Sequence, residues 1–180
     1  MFDKFELSSA KVNGVKINFR MKKNHNASEN AILFLHGFPQ THVMWAGIAD
    51  NFPENYAIIC PDLRGYGDSE KPTGIENFSF RNMAKDQFQL MSQLGFECFH
   101  IVGHDRGGRV AHRMALDETD RIKTITLMDI VPTEFLLSEL TTPVAQSYYH
   151  WFFLAQQSPF PEKLISADPD YFYESCLLGW

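Results

Sequence analysis

The sequence predicts an α/β fold, in which a mostly parallel sheet with flanking helices follows an antiparallel hairpin and precedes a helical segment. Short apolar runs, typical of strands buried on both faces, alternate along the chain with helical patterns. Asn13-Gly14 separates two alternating runs near the start. After residue 132 the chain is helical and aromatic, without a strand pattern. We therefore expect a core over residues 1–131 and part of a helical cap over residues 132–180.

The composition is that of an ordinary globular chain, and it limits the expected partners. Hydrophobic residues make up 44% of the 180 residues and charged residues 21%, which is enough apolar material for a core. A net charge of −6 does not attract nucleic acid or an anionic membrane. The scattered Cys60, Cys98 and Cys176 indicate neither a disulfide framework nor a zinc site. Without a signal-peptide pattern or a membrane-spanning run, the expected location is cytoplasmic.

The elements follow in order along the chain. Residues 5–22 alternate around Asn-Gly, the strongest short hairpin signal, and polar residues 22–30 predict a loop. Four apolar runs predict strands buried on both faces, at 31–35, 56–60, 98–102 and 122–128. Helical patterns lie between them, at 41–50, 80–94 and 108–117. In the first of these helices, Trp45 and Ile48 are expected to face inward.

Polar residues come at or just after the predicted strand ends. They are His36, Asp62, Asp105 and Asp129. Strands that alternate with helices imply a parallel sheet with right-handed crossovers, and the carboxyl ends of parallel strands lie at one edge of the sheet. Binding residues of open α/β sheets gather at that edge. The pattern therefore predicts an active site there.

The stretch Gly103-x-Asp105-x-Gly107 lies between a predicted strand and a predicted helix. This is the arrangement of the sharp turn that presents a catalytic nucleophile, but an aspartate stands where serine is usual. A carboxylate can attack a saturated carbon and form an ester on the enzyme. Hydrolysis of that ester develops an oxyanion, for which the amides of Arg106 and Phe38 are candidate donors. We expect the side chain of His36 to be structural.

Two arginines flank the candidate nucleophile. Arg106 and Arg109 are three residues apart at a helix start, so they share a face within a turn of Asp105. Guanidinium groups suit carboxylates, which favours a small substrate that carries a carboxylate. The alternatives are that the arginines pair with local acids or lower the pKa of Asp105.

Five further residues are candidates for the chemistry. Asp129 follows the next strand, where it could orient a histidine base or cap a loop. His150 and Trp151 offer N–H donors to a departing halide, while Tyr148 and Tyr149 offer hydroxyl groups. The alternative for this aromatic run is packing within the helical cap.

Three segments resemble the α/β-hydrolase superfamily and, within it, the fluoroacetate (haloacetate) dehalogenases: residues 36–40, 62–69 and 103–109. The resemblance covers the whole chain, and Asp-Arg-Gly-Gly-Arg at 105–109 is a specific part of it. Related haloalkane dehalogenases and epoxide hydrolases usually carry Trp where Arg106 stands. The resemblance implies these roles: nucleophile Asp105, supporting acid Asp129, carboxylate ligands Arg106 and Arg109, and halide ligands His150 and Trp151.

The family pattern continues beyond Trp180 with further strands, the rest of the cap and a catalytic histidine, so the sequence is expected to be truncated. None of its seven histidines fits that catalytic position. We therefore expect the 180-residue chain alone to form the ester but not to turn over.

The expected activity of the complete protein is hydrolytic dehalogenation of small 2-haloacids, in which fluoroacetate or another haloacetate and water give glycolate and halide. No cofactor or metal is expected. The alternatives are an epoxide hydrolase with the same nucleophile, against which the arginine pair counts, and a non-catalytic binding fragment. The expected partners are a small anionic halogenated acid and a halide ion, with no nucleic acid and no membrane. The resemblance also implies a homodimer.

Overall fold

A computed structural model describes residues 1–23 and 30–178. The chain divides into two compact units, Met1–Ile130 and Val131–Trp180. Residues 24–29, which make up most of the predicted loop, lie outside the described residues.

In its described residues, the first unit is built on a sheet of six strands with helices beside it, which confirms the predicted α/β fold. The strands are β1 (Glu6–Val12), β2 (Val15–Lys22), β3 (Ala31–Leu35), β4 (Ala57–Pro61), β5 (Phe99–His104) and β6 (Ile122–Met128). Their spatial order is β1-β2-β4-β3-β5-β6. The pairs β1–β2 and β2–β4 are antiparallel, whereas β3–β4, β3–β5 and β5–β6 are parallel. The carboxyl ends of β3 to β6 therefore lie at one edge of the sheet.

The turn of the N-terminal hairpin depends on Asn13 and Gly14. Val12 pairs with Val15 across this turn, so the loop has two residues. Asn13 and Gly14 have φ angles of 44° and 82°. A type I′ turn requires a positive φ at both positions, and Asn-Gly adopts it at low cost. The predicted hairpin is confirmed for this reason.

Both faces of the central strands β3 and β4 are covered. The helices of the first unit are α1 (Ala46–Ala49), α2 (Phe80–Gln93) and α3 (Arg106–Asp117). Short 3₁₀ turns cover His42–Trp45, Ile75–Phe78 and Thr119–Arg121. Strand β3 shows why its sequence is apolar throughout: Leu33 and Leu35 belong to the core cluster with α2 and α3. Ile32 and Phe34 belong to a second cluster, which contains Trp45.

Two expectations about burial are wrong. The sequence predicts that Ile48 faces inward, but its side chain is 48% exposed, because Ala46 and Ala49 are the residues of α1 that pack in the core. The sequence also predicts that β6 is buried on both faces, but its residues from Lys123 to Met128 are exposed. Within the described residues, β6 is an edge strand that pairs with β5 alone, so its apolar side chains lack a second neighbour.

The second unit is helical in its described part, with no strand between residues 131 and 178. Its helices are α4 (Thr133–Ser138), α5 (Thr142–Ser147), α6 (Tyr149–Leu154), α7 (Phe160–Ala167) and α8 (Pro169–Leu178). Phe153 brings three of them together, since its ring centroid lies 6.4 Å from that of Phe160 and 6.1 Å from that of Phe172. None of the helices described in residues 1–23 and 30–178 is long and apolar enough to cross a membrane.

A buried ion pair joins the loop after β4 to α2. Arg64 is 2% exposed and Asp86 is 0% exposed. The Nε and Nη2 of Arg64 donate to the two carboxylate oxygens of Asp86 at 2.6 and 2.5 Å. The Asn13 side chain donates to the same carboxylate at 2.9 Å, so Asp86 also holds the hairpin turn. One carboxylate thus connects three separate parts of the chain.

We expect Asp86→Ala to lower the free energy of unfolding by about 3–5 kcal/mol, because it leaves the Arg64 guanidinium buried without its anion. Denaturant unfolding measures the loss. The matched control is Asp117→Ala, which removes the more exposed partner of Arg113 and Arg81; an exposed pair contributes at most about 1 kcal/mol. Equal losses in the two variants would contradict a special role for the buried pair.

Candidate active site

The backbone of Asp105 makes a sharp turn between β5 and α3. Its φ and ψ are 47° and −114°, a conformation that side-chain-bearing residues rarely adopt. Two backbone hydrogen bonds hold it: the Asp105 amide donates to the Met128 carbonyl at 3.0 Å, and its carbonyl accepts from the Arg109 amide at 3.1 Å. The turn therefore presents the carboxylate at the carboxyl edge of the sheet.

Gly103 and Gly107 allow strand, turn and helix to come this close together. A Cβ on Gly107 would clash with the carbonyl oxygens of Leu35 and His36. A Cβ on Gly103 would lie 2.5 Å from the carbonyl oxygen of Gly107. Backbone atoms cannot move aside as the end of a flexible side chain can. Close packing therefore requires the two glycines of the motif.

The turn after β3 contacts the Asp105 side chain directly. The Phe38 amide donates to Asp105 Oδ1 at 2.8 Å. Gly37 makes room for this contact, because a Cβ there would lie 2.7 Å from the Cβ of Asp105. Within residues 1–23 and 30–178, Asp105 Oδ2 has no hydrogen-bond partner. Arg106 begins α3, and helix geometry leaves its amide without an intrahelical acceptor.

His36 supports this turn from inside the core. The side chain is fully buried, its Nδ1 donates to the Gly37 carbonyl at 2.9 Å, and its Nε2 accepts from the Leu63 amide at 3.0 Å. Burial lowers the pKa of His36, which agrees with a neutral ring that donates on one side and accepts on the other. The imidazole joins the turn after β3 to the loop after β4.

Asp62 holds the loop after β4 from the same end of the sheet. The carboxylate is 1% exposed and accepts from His42 Nδ1 at 2.7 Å, from the His42 amide at 2.9 Å and from the Asp68 amide at 3.1 Å. Burial by itself would raise its pKa, but these hydrogen bonds outweigh burial and lower the pKa of Asp62 to about 2. Its oxygens are occupied by structural donors, so Asp62 holds the loop and is not a candidate nucleophile.

Arg106 and Arg109 both lie in the first turn of α3. Arg109 is buried, at 6% exposure, and Arg106 is half-buried. The Arg106 guanidinium carbon lies 5.2 Å from the ring centroid of Phe80. Within residues 1–23 and 30–178, no carboxylate pairs with Arg106, so pairing with a local acid is wrong for this arginine.

Asp129 lies just after β6, with a φ of 56° and a side chain that is 81% exposed. Its Oδ2 is 3.6 Å from the Nε2 of His104, the residue that precedes Asp105. The sequence analysis missed this neighbour, although parallel pairing of strand ends could have indicated it, because His104 is opposite Met128 in the β5–β6 register. The sequence analysis also missed the contact between Phe80 and Arg106, because the two residues are far apart in the sequence.

His150 and Trp151 lie on α6 of the second unit. Tyr148 packs against both, with ring centroids 6.2 Å from His150 and 5.6 Å from Trp151. The rings form an aromatic group within this unit. Their halide-binding role stays a prediction.

Comparison with known proteins matches this chain to hydrolases. A family model described as alpha/beta hydrolase fold matches residues 30–178. The chain is 51% identical over 183 residues to fluoroacetate dehalogenase from Burkholderia sp., with 100% of this chain and 59% of that protein covered. It is 35% identical over 160 residues to soluble epoxide hydrolase from Corynebacterium sp. (strain C12), with coverages of 88% and 54%.

Among solved structures, a protein from Nostoc sp. PCC 7120 that is provisionally named an alpha/beta hydrolase superposes with a TM-score of 0.93 at 45% identity. The match covers 100% of this chain and 62% of that one. The chain thus spans little more than half the length of the relatives that it matches.

We expect Gly107→Ala to destabilise the protein by more than about 2 kcal/mol, because the added methyl group meets the Leu35 backbone. Gly47→Ala is the control, since Gly47 lies in helix α1 with open space around it. Alanine is the better helix former, so the control is neutral or stabilised by up to about 1 kcal/mol. Thermal and denaturant unfolding measure both, and unchanged stability of Gly107→Ala would contradict the close packing of the elbow.

We expect Asp62 to make stability depend on pH in acid. Its folded pKa of about 2 lies below the ordinary value near 3.9, so its contribution is complete above about pH 4 and is lost as the pH falls through 2. The shift corresponds to about 2 kcal/mol. Unfolding free energies at several pH values should show this loss in the unmodified protein and a shallower one in Asp62→Asn. Parallel curves for the two proteins would refute it.

Proposed function

The chain belongs to the α/β-hydrolase fold family, and from this premise we propose that the whole protein hydrolyses the carbon–halogen bond of small 2-haloacids. The observation that carries the proposal is the geometry of Asp105, a carboxylate at the nucleophile turn with one oxygen held by the Phe38 amide. An aspartate there suits displacement at a saturated carbon. The similarity of the chain to fluoroacetate dehalogenase also supports hydrolysis of a carbon–halogen bond.

The first step is displacement of the halide. Oδ2 of Asp105 attacks the carbon that bears the halogen, and the carbon–halogen bond breaks with its electron pair leaving as halide. The product is an ester between Asp105 and a carboxymethyl group. The Phe38 amide restrains Oδ1 during the attack, so the carboxylate need not be reoriented in the transition state.

The second step is hydrolysis of that ester. Water adds to the ester carbonyl, the oxyanion forms at the held oxygen, and collapse releases glycolate, a proton and free Asp105. The amides of Phe38 and Arg106 are the proposed donors to the oxyanion. Asp129 is the proposed support for the histidine that activates the water, and we propose that this histidine is none of the seven in the 180 residues.

Selection of the substrate is assigned to the arginines and to the aromatic group of the second unit. Arg106 and Arg109 are proposed to bind the substrate carboxylate, which Arg106 can do because no described carboxylate occupies it. His150 and Trp151 are proposed to donate N–H groups to the leaving halide. The cytoplasmic location and the homodimer stay predictions from the sequence.

A second candidate is epoxide hydrolysis by the same nucleophile. The chain's 35% identity to a soluble epoxide hydrolase favours it. A neutral epoxide offers no anion to Arg106, whose guanidinium has no carboxylate partner within the described residues. We therefore rank haloacid hydrolysis first.

We expect Asp105→Asn to abolish halide release from chloroacetate and fluoroacetate without loss of the fold, because the amide is a far weaker nucleophile. Halide assays of the full-length protein, with circular dichroism for the fold, measure this. Styrene oxide, assayed in parallel, separates the second candidate from the first. In the 180-residue chain, intact-mass measurement should find one stable carboxymethyl group, and none in Asp105→Asn. Halide release at the wild-type rate in Asp105→Asn would remove Asp105 as nucleophile, and steady turnover by the 180-residue chain would refute the missing base.

A further inference from the structure

An aromatic ring and a guanidinium from the first residues of two neighbouring helices are in contact. Phe80 begins α2 and Arg106 begins α3, and both helices pack on the same core cluster. The guanidinium carbon of Arg106 lies 5.2 Å from the centroid of the Phe80 ring, within the range of a cation–π contact. Phe80 is therefore placed against the arginine that directly follows Asp105.

We propose that Phe80 is a positioning residue for the reaction, which orients the Arg106 guanidinium to bind a substrate carboxylate. This inference rests on the proposed function, since it concerns how Arg106 selects an anionic substrate. Phe80 acts through Arg106 and does not itself touch the reacting atoms.

A cation–π contact with Phe80 affects the Arg106 guanidinium differently from an ion pair with an acidic side chain. A guanidinium binds a ring through its flat face, so its N–H groups stay available at its edge. A carboxylate partner would occupy those same N–H groups as a fork. The Nε of Arg106 has no hydrogen-bond partner within residues 1–23 and 30–178. The ring thus contacts the side chain without occupying its N–H groups, of which the Nε–H is buried.

Arg81 of α2 and Arg113 of α3, unlike Arg106, have a carboxylate partner. Arg113 donates from its Nε to Asp117 at 2.8 Å, and Arg81 lies 3.7 Å from the same carboxylate. Asp117, the last residue of α3, thus pairs with both of these arginines. Arg106, at the end that carries the nucleophile, has an aromatic face in place of an anion.

The ring of Phe80 is itself held in place by local structure. Ser79 caps α2 by accepting from the Asn82 amide at 3.2 Å, and the Asn82 side chain donates to the Glu76 carbonyl at 2.9 Å. Phe80 also packs against the core cluster of the first unit. A fixed ring restricts the rotamers of a long side chain before the substrate arrives, which reduces the entropy lost on binding.

The test compares Phe80→Leu, Phe80→Tyr and Phe78→Leu in the full-length protein. Leucine keeps the bulk and removes the ring face, whereas tyrosine keeps the face. Phe78 is the matched control, because it is also half-buried and packs on the same core cluster, but contacts Gly65 and not Arg106. The measurements are kcat and KM for chloroacetate, and the Kd of glycolate by calorimetry.

We expect Phe80→Leu to raise KM and the glycolate Kd about fivefold or more, with kcat nearly unchanged. Phe80→Tyr and Phe78→Leu should stay near the wild type. In an Arg106→Leu background, Phe80→Leu should have no further effect, because the arginine through which it acts is gone. A Phe80→Leu effect that persists in that background, or that Phe78→Leu equals, would overturn the positioning role.

The outcomes separate this inference from the proposed function. If the wild type releases no halide from chloroacetate, the proposed function fails. If it does, and Arg106→Leu weakens glycolate binding while Phe80→Leu does not, the role of Phe80 alone fails.

Discussion

The hydrogen bond from the Phe38 amide to Asp105 Oδ1, 2.8 Å long, joins the two turns on which the rest of the candidate site depends. It forms because β3 and β5 are neighbouring parallel strands, so their carboxyl ends lie side by side. It also needs Gly37 and Gly107, since a side chain at either position would push the turns apart. The hydrogen bond fixes the orientation of the carboxylate of Asp105, whose backbone is strained. It also makes the two oxygens different, because Oδ1 accepts this bond and Oδ2 does not.

The carboxylates near this edge divide into structural and available ones. Asp62 and Asp86 are buried, and donors surround both of them, so they hold loops and a helix in place. Asp105 receives one described donor on one oxygen. A carboxylate whose two oxygens both accept hydrogen bonds has no lone pair available to attack carbon, whereas a carboxylate with one unbound oxygen does. Hydrogen-bond occupancy therefore separates Asp105, the proposed nucleophile, from the buried structural carboxylates Asp62 and Asp86.

Parts of the fold followed from local patterns because their causes are local. Asn13-Gly14 predicted a tight turn since both residues accept a positive φ, and the apolar run of β3 predicted a strand covered on both faces. The predicted burial of Ile48 and β6 was wrong because burial is not a local property. Burial of a side chain depends on what lies across from it, and the sequence of β6 looks the same at an edge as in the middle of a sheet.

By itself, the sequence determined the order of strands and helices, the glycine turn and the identity of the residue that it presents, because spacing and backbone preference act over a few neighbouring residues. The sequence also made the Phe38 amide a candidate donor at Asp105, and the structure has that contact. Only the tertiary structure decided that Asp129 has His104 as a neighbour and that Phe80 lies against Arg106. These pairs come from different elements, and strand order and helix packing bring them together. Contacts of this kind arise from the packing of the whole unit, which no short stretch of sequence encodes.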